Sequence, residues 1–373
     1  MQNIFNYPLN KEIPRLPTKN IHPNYQRKFG LNIENRINDY PLLQSNPLIS
    51  SSNKENSSFF SNQNSLFNIP TKPKIIFPSK PKTPVVYHSQ KSKAIVQSPF
   101  PSNLPCDVPY RCNPQHVPEY LNDIFSDLLC NMEVNKPEQG SFSHIQKEIS
   151  YKHRNILIDW LLEVHVQFKL REETMFLTVN LIDRILSLQP VKKTELQLVG
   201  TTCLLIASKY EEIYAPEIRD LEYITEKSCK YEDFISKEME ILTKLDFDIL
   251  TVYSYSLLQR IHHISLLPIE VFHLALFILE CMFFEEEFLK YDDFTKALSA
   301  LYFAKKWMMC NLDFPYYLSK VIKEKKKEIK ECVILTMKVI QVLKGVKLTA
   351  VFKKFRSEDY NEVAKELEKY FRI

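Results

Sequence analysis

The sequence predicts an all-α protein, with two tandem five-helix domains preceded by a disordered N-terminal tail. Three observations point there. The run Arg154-Asn155-Ile156-Leu157-Ile158-Asp159-Trp160-Leu161-Leu162-Glu163-Val164 is apolar on nearly every side, which suits a helix at the centre of a bundle. Ten helical patterns follow one another from about residue 150 to 343, interrupted by proline at Pro190 and Pro216. Residues 1–115, in contrast, are rich in Asn, Ser, Pro and Lys, and their apolar residues show no sustained helical period.

Taken in order, the tail spans 1–115, where prolines from Pro70 to Pro84 and at Pro99, Pro101 and Pro105 would interrupt any long helix. A leading amphipathic helix within 116–135 opens at Pro118, with Tyr120, Ile124, Leu128 and Leu129 at helical spacing. The first domain, 136–250, holds helices near 150–168, 172–188, 194–211, 216–226 and 231–245, with Ser150 and Thr194 as N-caps. The second, 251–345, holds helices near 251–263, 268–286, 290–310, 315–322 and 323–343. A C-terminal helical tail, 346–373, alternates Glu and Lys from about 357 to 371 around Tyr360, Val363, Leu367 and Tyr370, and is expected to dock on the second domain.

Composition narrows the function. The chain has 373 residues but only four glycines, Gly30, Gly140, Gly200 and Gly345. They are too far apart to wrap a phosphate, which argues against nucleotide-binding enzymes. Eight cysteines form no Cys-x-x-Cys pair and no finger-type cluster, so neither metal nor cofactor is expected, and the thiols read as reduced and intracellular. A net charge of +4 is small for this length and gives no argument for direct nucleic-acid binding. No signal peptide opens the chain, and the longest apolar stretch, Ile269 to Phe284, is interrupted by charge and is too short to span a bilayer. No nucleophile or metal ligand accompanies the carboxylates Glu211, Glu212, Glu285, Glu286 and Glu287, so no catalytic site is expected and the protein is read as a non-enzyme.

Four charges stand among apolar residues in the first domain: Arg154, Asp183, Lys209 and Glu238. Left unpaired there, each would cost several kcal/mol. These residues, with Trp160, Lys209-Tyr210-Glu211-Glu212-Ile213 and the distant Glu238, resemble the cyclin box, nearest to mitotic A/B-type cyclins. The resemblance is specific over about 118–250 and architectural over about 251–345. It implies two tandem five-helix cyclin-box domains and a regulatory subunit that allosterically activates a cyclin-dependent protein kinase. The implied kinase-binding residues are Lys209 and Glu238, anchoring the partner's backbone, with Ile124, Tyr210, Glu212 and Phe247 around them. Read by themselves, Lys209 and Glu238 also suit an internal bridge and Phe247 suits core packing. Arg154 and Asp183 match a structural ion pair inside the first box.

The resemblance also implies a substrate-docking groove at His153, Ile156, Leu157, Trp160, Glu163 and Gln197, taking arginine-x-leucine-type motifs of substrates and inhibitors on an exposed Trp with a carboxylate at its edge. Core packing is the alternative for the same residues. His153 and Asn155 depart from the family pattern, which has Met and Ala there. Within the tail, Lys54-Glu55-Asn56 is a KEN tripeptide of the kind read by the mitotic ubiquitin ligase, in the region where mitotic cyclins carry degrons. Thr83-Pro84 and Ser98-Pro99 are minimal proline-directed phosphorylation sites. The expected location is nucleus and cytoplasm. Two competing readings are a transcriptional cyclin and a cyclin-fold DNA-binding general transcription factor.

Overall fold

A computed structural model describes residues 97–102, 104–110, 117–345 and 348–370, and all its regular elements among these residues are helical. A 3-10 turn at Pro118–Tyr120 runs into the leading helix α1, Leu121–Asn131, and a short α2, Ser141–Ile145, follows Gly140, which takes a left-handed φ of 83°. The first box comprises α3 (Tyr151–Phe168), α4 (Glu172–Leu186), α5 (Leu196–Glu211), α6 (Ile218–Ile224) and α7 (Tyr231–Lys244). The second comprises α8 (Ser254–Ser265), α9 (Ile269–Cys281), α10 (Asp293–Trp307), α11 (Tyr316–Glu324) and α12 (Lys326–Gly345). Two more helices, α13 (Ala350–Phe355) and α14 (Val363–Tyr370), end the described chain. Thr194 lies inside a 3-10 turn, Lys193–Glu195, that feeds α5 and does not cap it.

The apolar helix α3 sits where its composition demands, in the core of the first box, with Leu157, Ile158, Leu161 and Leu162 fully buried. Gly200 lets α5 press against it. A Cβ at that position would stand 2.7 Å from the Leu157 methyl carbons, closer than packed carbons tolerate. In the second box the all-round apolar helix is α9, buried from Val271 to Cys281.

The two boxes share one core. Phe176 of α4 stacks on Tyr255 of α8 and meets Phe283 edge-on at 4.8 Å between ring centroids. The C-terminal tail also departs from expectation, since α13 packs on α3 of the first box as well as on α9. A buried ion cluster fastens it there. Lys354 is paired with Glu172 of α4 at 2.5 Å and with Glu280 of α9, while Tyr360 Oη donates to Glu172 at 2.6 Å. Burial pushes the Glu280 carboxyl up, whereas Lys354 holds Glu172 down.

The N-terminal boundary also needs correction, because residues 97–102 and 104–107 are docked where the tail was expected to run disordered to 115. Phe100, Leu104, Cys106 and Asp107 are all buried. Their spacing has no helical period to betray them, since they anchor an irregular segment through single side chains.

Candidate functional site

Helices α5 and α7 lie side by side, and their outer surface carries Lys209 and Glu238. Lys209 Nζ donates to Glu238 Oε1 at 2.5 Å, and the side chains are 47% and 18% exposed. The pair is therefore a surface bridge open to competition. Around it, or at the ends of the same helices, stand exposed apolar residues: Tyr210, Ile213 (81% exposed), Tyr214, Ile235, Met239, Phe247 (61%) and Leu250. Phe247 is held outward by a left-handed backbone at φ 58° and by its N–H donating to the Leu242 carbonyl at 2.8 Å, so it is not core. Ile124 is exposed on α1. The segment after α1 reaches Leu250, because Asn135 Nδ2 donates to its carbonyl at 2.7 Å.

Glu212 is placed differently from the others. Its Oε1 accepts from the Arg171 N–H at 2.7 Å and from Thr174 Oγ1 at 2.5 Å, so the carboxylate serves the N-terminus of α4, where negative charge is favoured. Ile213, Tyr214, Ile235, Met239 and Leu250 were missed in the sequence. The usable signal was helical position: Ile235 and Met239 flank Glu238 on one side of α7 at i−3 and i+1.

The second ion pair of the first box, at Arg154, is buried. Arg154 Nε and Nη2 donate to the two Asp183 oxygens at 2.6 and 2.7 Å, and Nη1 donates to the Phe283 carbonyl at 2.6 Å. One guanidinium thus joins α3, α4 and the turn after α9, tying first box to second. Asn155, one of the two departures from the family pattern, reinforces the joint by donating from Nδ2 to the Phe284 carbonyl at 2.9 Å. A cavity of about 90 Å³ beside Arg154, lined also by Tyr151, Asp183 and Tyr253, has room for a few waters.

The expected docking groove is not open. Trp160 is 2% exposed, and Ile156, Leu157 and Gln197 are buried with it, so the exposed indole expected there is corrected to a core residue. The physical reason is the all-round apolarity of α3, which α4, α5 and α13 enclose. Glu163 pairs with Lys353 of α13 at 2.9 Å. Ala350 N–H donates to Asp159 Oδ1 at 2.8 Å, so α13 is fastened along this side of α3. His153, the other departure, is a cap residue. Its Nδ1 accepts the Ser150 N–H at 3.0 Å, a role that needs the neutral ring, and burial lowers its pKa accordingly.

Lys54, Glu55, Asn56 and Thr83 lie outside the described residues. Ser98 is within them, half-buried at the start of the docked segment. Among the described residues, Cys106, Asp107 and His263 bring ligand-type atoms within 4.8 Å of one another. Arg260 takes both Asp107 oxygens at 2.7 and 2.9 Å, and burial pushes the Cys106 thiol up to about 11. A cation there would meet a guanidinium and a protonated thiol, so the cluster is an ion-pair clasp. No helix among the described residues is long and apolar enough to cross a membrane.

A family model described as "Cyclin, N-terminal domain" matches residues 123–250, and one described as "Cyclin, C-terminal domain" matches residues 250–369. Among curated proteins, the chain is 35% identical over 259 residues to the G2/mitotic-specific cyclin-B of Spisula solidissima, covering 68% of this chain and 58% of that one. It is 41% identical over 188 residues to Cyclin-B1-2 of Arabidopsis thaliana, covering 50% of this chain and 42% of the relative. With the G2/mitotic-specific cyclin-B of Dictyostelium discoideum it shares 30% over 302 residues, 80% of this chain and 67% of that one. The chain spans about half the length of the first two relatives.

Proposed function

The chain belongs to the cyclin family, and from that premise we propose that it is a regulatory subunit that binds and allosterically activates a cyclin-dependent protein kinase in mitotic control. The observation that carries this reading is the α5–α7 surface, where a half-exposed ion pair sits among exposed apolar side chains. Apolar area with polar anchors is the composition of a protein interface core. Lys209 and Glu238, paired with each other at the surface, can exchange that bond for bonds to a partner's backbone as water is excluded. By binding one conformation of the kinase better than another, such a face shifts the kinase's equilibrium. The regulatory chain supplies binding energy and the kinase supplies the chemistry.

The test mixes the full chain with an inactive cyclin-dependent kinase and titrates activation. Lys209→Ala and Glu238→Ala are expected to weaken it by ~2 to 5 kcal/mol, or roughly 30-fold and upward in half-maximal concentration. Folded variants that activate as well as the parent chain would remove these residues from the mechanism. A parent chain that activates no such kinase would overturn the reading.

We further infer that the mitotic ubiquitin ligase sets the protein's abundance through Lys54, Glu55 and Asn56. Replacing all three by alanine is expected to lengthen the half-life in a mitotic extract. An unchanged half-life would refute that role.

A further inference from the structure

Residues 98–107 fasten the leading helix to the second box. The Ser98 N–H donates to Ser126 Oγ on α1 at 2.9 Å, and Ser98 Oγ accepts the Phe100 N–H at 3.2 Å. Phe100 enters an aromatic cage, with ring centroids 5.2 Å from Phe125 of α1, 6.4 Å from Phe294 of α10 and 6.1 Å from Tyr317 of α11. Leu104 and Cys106 are buried beyond it. The far end is Asp107, held by both Arg260 nitrogens and, at 3.2 Å, by His263 Nε2, all on α8.

Ser98 precedes Pro99, and this pair is the minimal substrate of a proline-directed protein kinase. Such an enzyme takes its acceptor as an extended strand with the flanking side chains accessible. Here Phe100, two residues after the acceptor, is 4% exposed, and the acceptor oxygen is engaged in the turn. The docked segment is therefore not a substrate. We infer that Ser98 is a phosphorylation site whose modification and docking exclude each other, so that a proline-directed kinase traps residues 98–107 in the released state. In the step, Ser98 Oγ attacks the γ-phosphorus of ATP. The Oγ–P bond forms as the bond from that phosphorus to the bridging oxygen breaks, ADP leaves, and the hydroxyl proton passes to the kinase's base.

The phosphate also opposes return. Ser126, the residue that receives the Ser98 N–H, is flanked on α1 by Asp123 and Asp127, and α1 contains no Lys or Arg. A dianion brought to that helix meets like charge. The inference does not rest on kinase activation by this chain, because any proline-directed kinase serves as the probe.

The experiment uses the full chain carrying Thr83→Ala, which leaves Ser98-Pro99 as its remaining Ser/Thr-Pro site. A purified mitogen-activated kinase and ATP supply phosphate, and incorporation at Ser98 is followed against time. Arg260→Ala loosens the segment without altering the sequence around the acceptor, and is expected to speed incorporation roughly tenfold or more. Asp107→Ala, outside both boxes, should do the same and guards against misfolding of the first variant. Amide exchange at Phe100 and Asp107 should be at least roughly tenfold faster in the phosphorylated chain than in the unmodified one. Equal incorporation rates in parent and variants, no incorporation at Ser98 in any of them, or unchanged exchange after phosphorylation would each overturn the proposal.

Discussion

Two ion pairs in the first box join residues 29 positions apart, Arg154 with Asp183 and Lys209 with Glu238. They have opposite characters. The Arg154 side chain is 2% exposed and Asp183 12%, against 47% for Lys209 and 18% for Glu238. Arg154 makes a fork to Asp183 and spends its remaining nitrogen on the Phe283 carbonyl, whereas Lys209 makes a single bond on the surface. A buried guanidinium with every nitrogen engaged is closed to a partner, and it cannot lose Asp183 without stranding a charge. An exposed ammonium with one bond can trade it. What separates the buried charge from the surface charge here is burial and the number of bonds made, and sequence spacing is blind to both.

The sharpest way to break this comparison is to remove the buried anchor. Arg154→Ala is expected to cost ~3 to 5 kcal/mol in a denaturant titration, because Asp183 is left without its partner in a dry site. A loss below ~1 kcal/mol would place Arg154 with the surface pairs. Acid offers a second probe of the buried region. His165 is enclosed, with Nε2 on the Arg171 carbonyl at 2.9 Å, and burial followed by the Lys354 charge lowers its pKa from 6.5 to about 4. Above pH ~6.5 neither folded nor unfolded chain protonates this ring; between pH ~6.5 and ~4 only the unfolded chain does. Stability should therefore fall with pH, by about 2 kcal/mol at pH 5 from this residue. His165→Gln should show a shallower decline than the parent between pH 7 and 5, and parallel curves would exclude the assignment. The smallest effect belongs to the surface pair. Lys209→Ala and Glu238→Ala should each shift unfolding by less than about 1 kcal/mol, so their loss of kinase activation would be separable from any loss of fold.

Much of the helical frame was readable because most helices of the boxes carry their own apolar period. The bounds 151–168, 172–186, 231–244 and 316–324 lie within a few residues of those inferred from the pattern. Trp160 was misjudged for a related reason. A period shows that a helix buries a face, but α3 is apolar all round, and only its packing with α4, α5 and α13 decides that the indole is inside. Lys354 was invisible because a Lys-Lys pair looks solvated, while its burial depends on Glu172 and Glu280 from two other helices. His153 and Asn155 were legible as departures, though their purposes were not. One caps α3 and the other binds the Phe284 carbonyl, and both roles need a neighbour the pattern does not name. The segment 98–107 was hidden because single anchors such as Phe100 and Asp107 leave no periodicity.

Lys354 meets Glu172 across 182 residues of chain. At elongation rates of roughly 5 to 20 residues per second, the lysine leaves the ribosome about 10 to 40 seconds after the glutamate it neutralises. Throughout that interval the nascent first box lacks the lysine that Glu172 meets in the finished fold, and α13 has yet to supply the Ala350 amide that Asp159 accepts. Synthesis that stops short of α13 thus leaves α3 and α9 without the helix that packs on both, and the first box is completed only near the end of the chain.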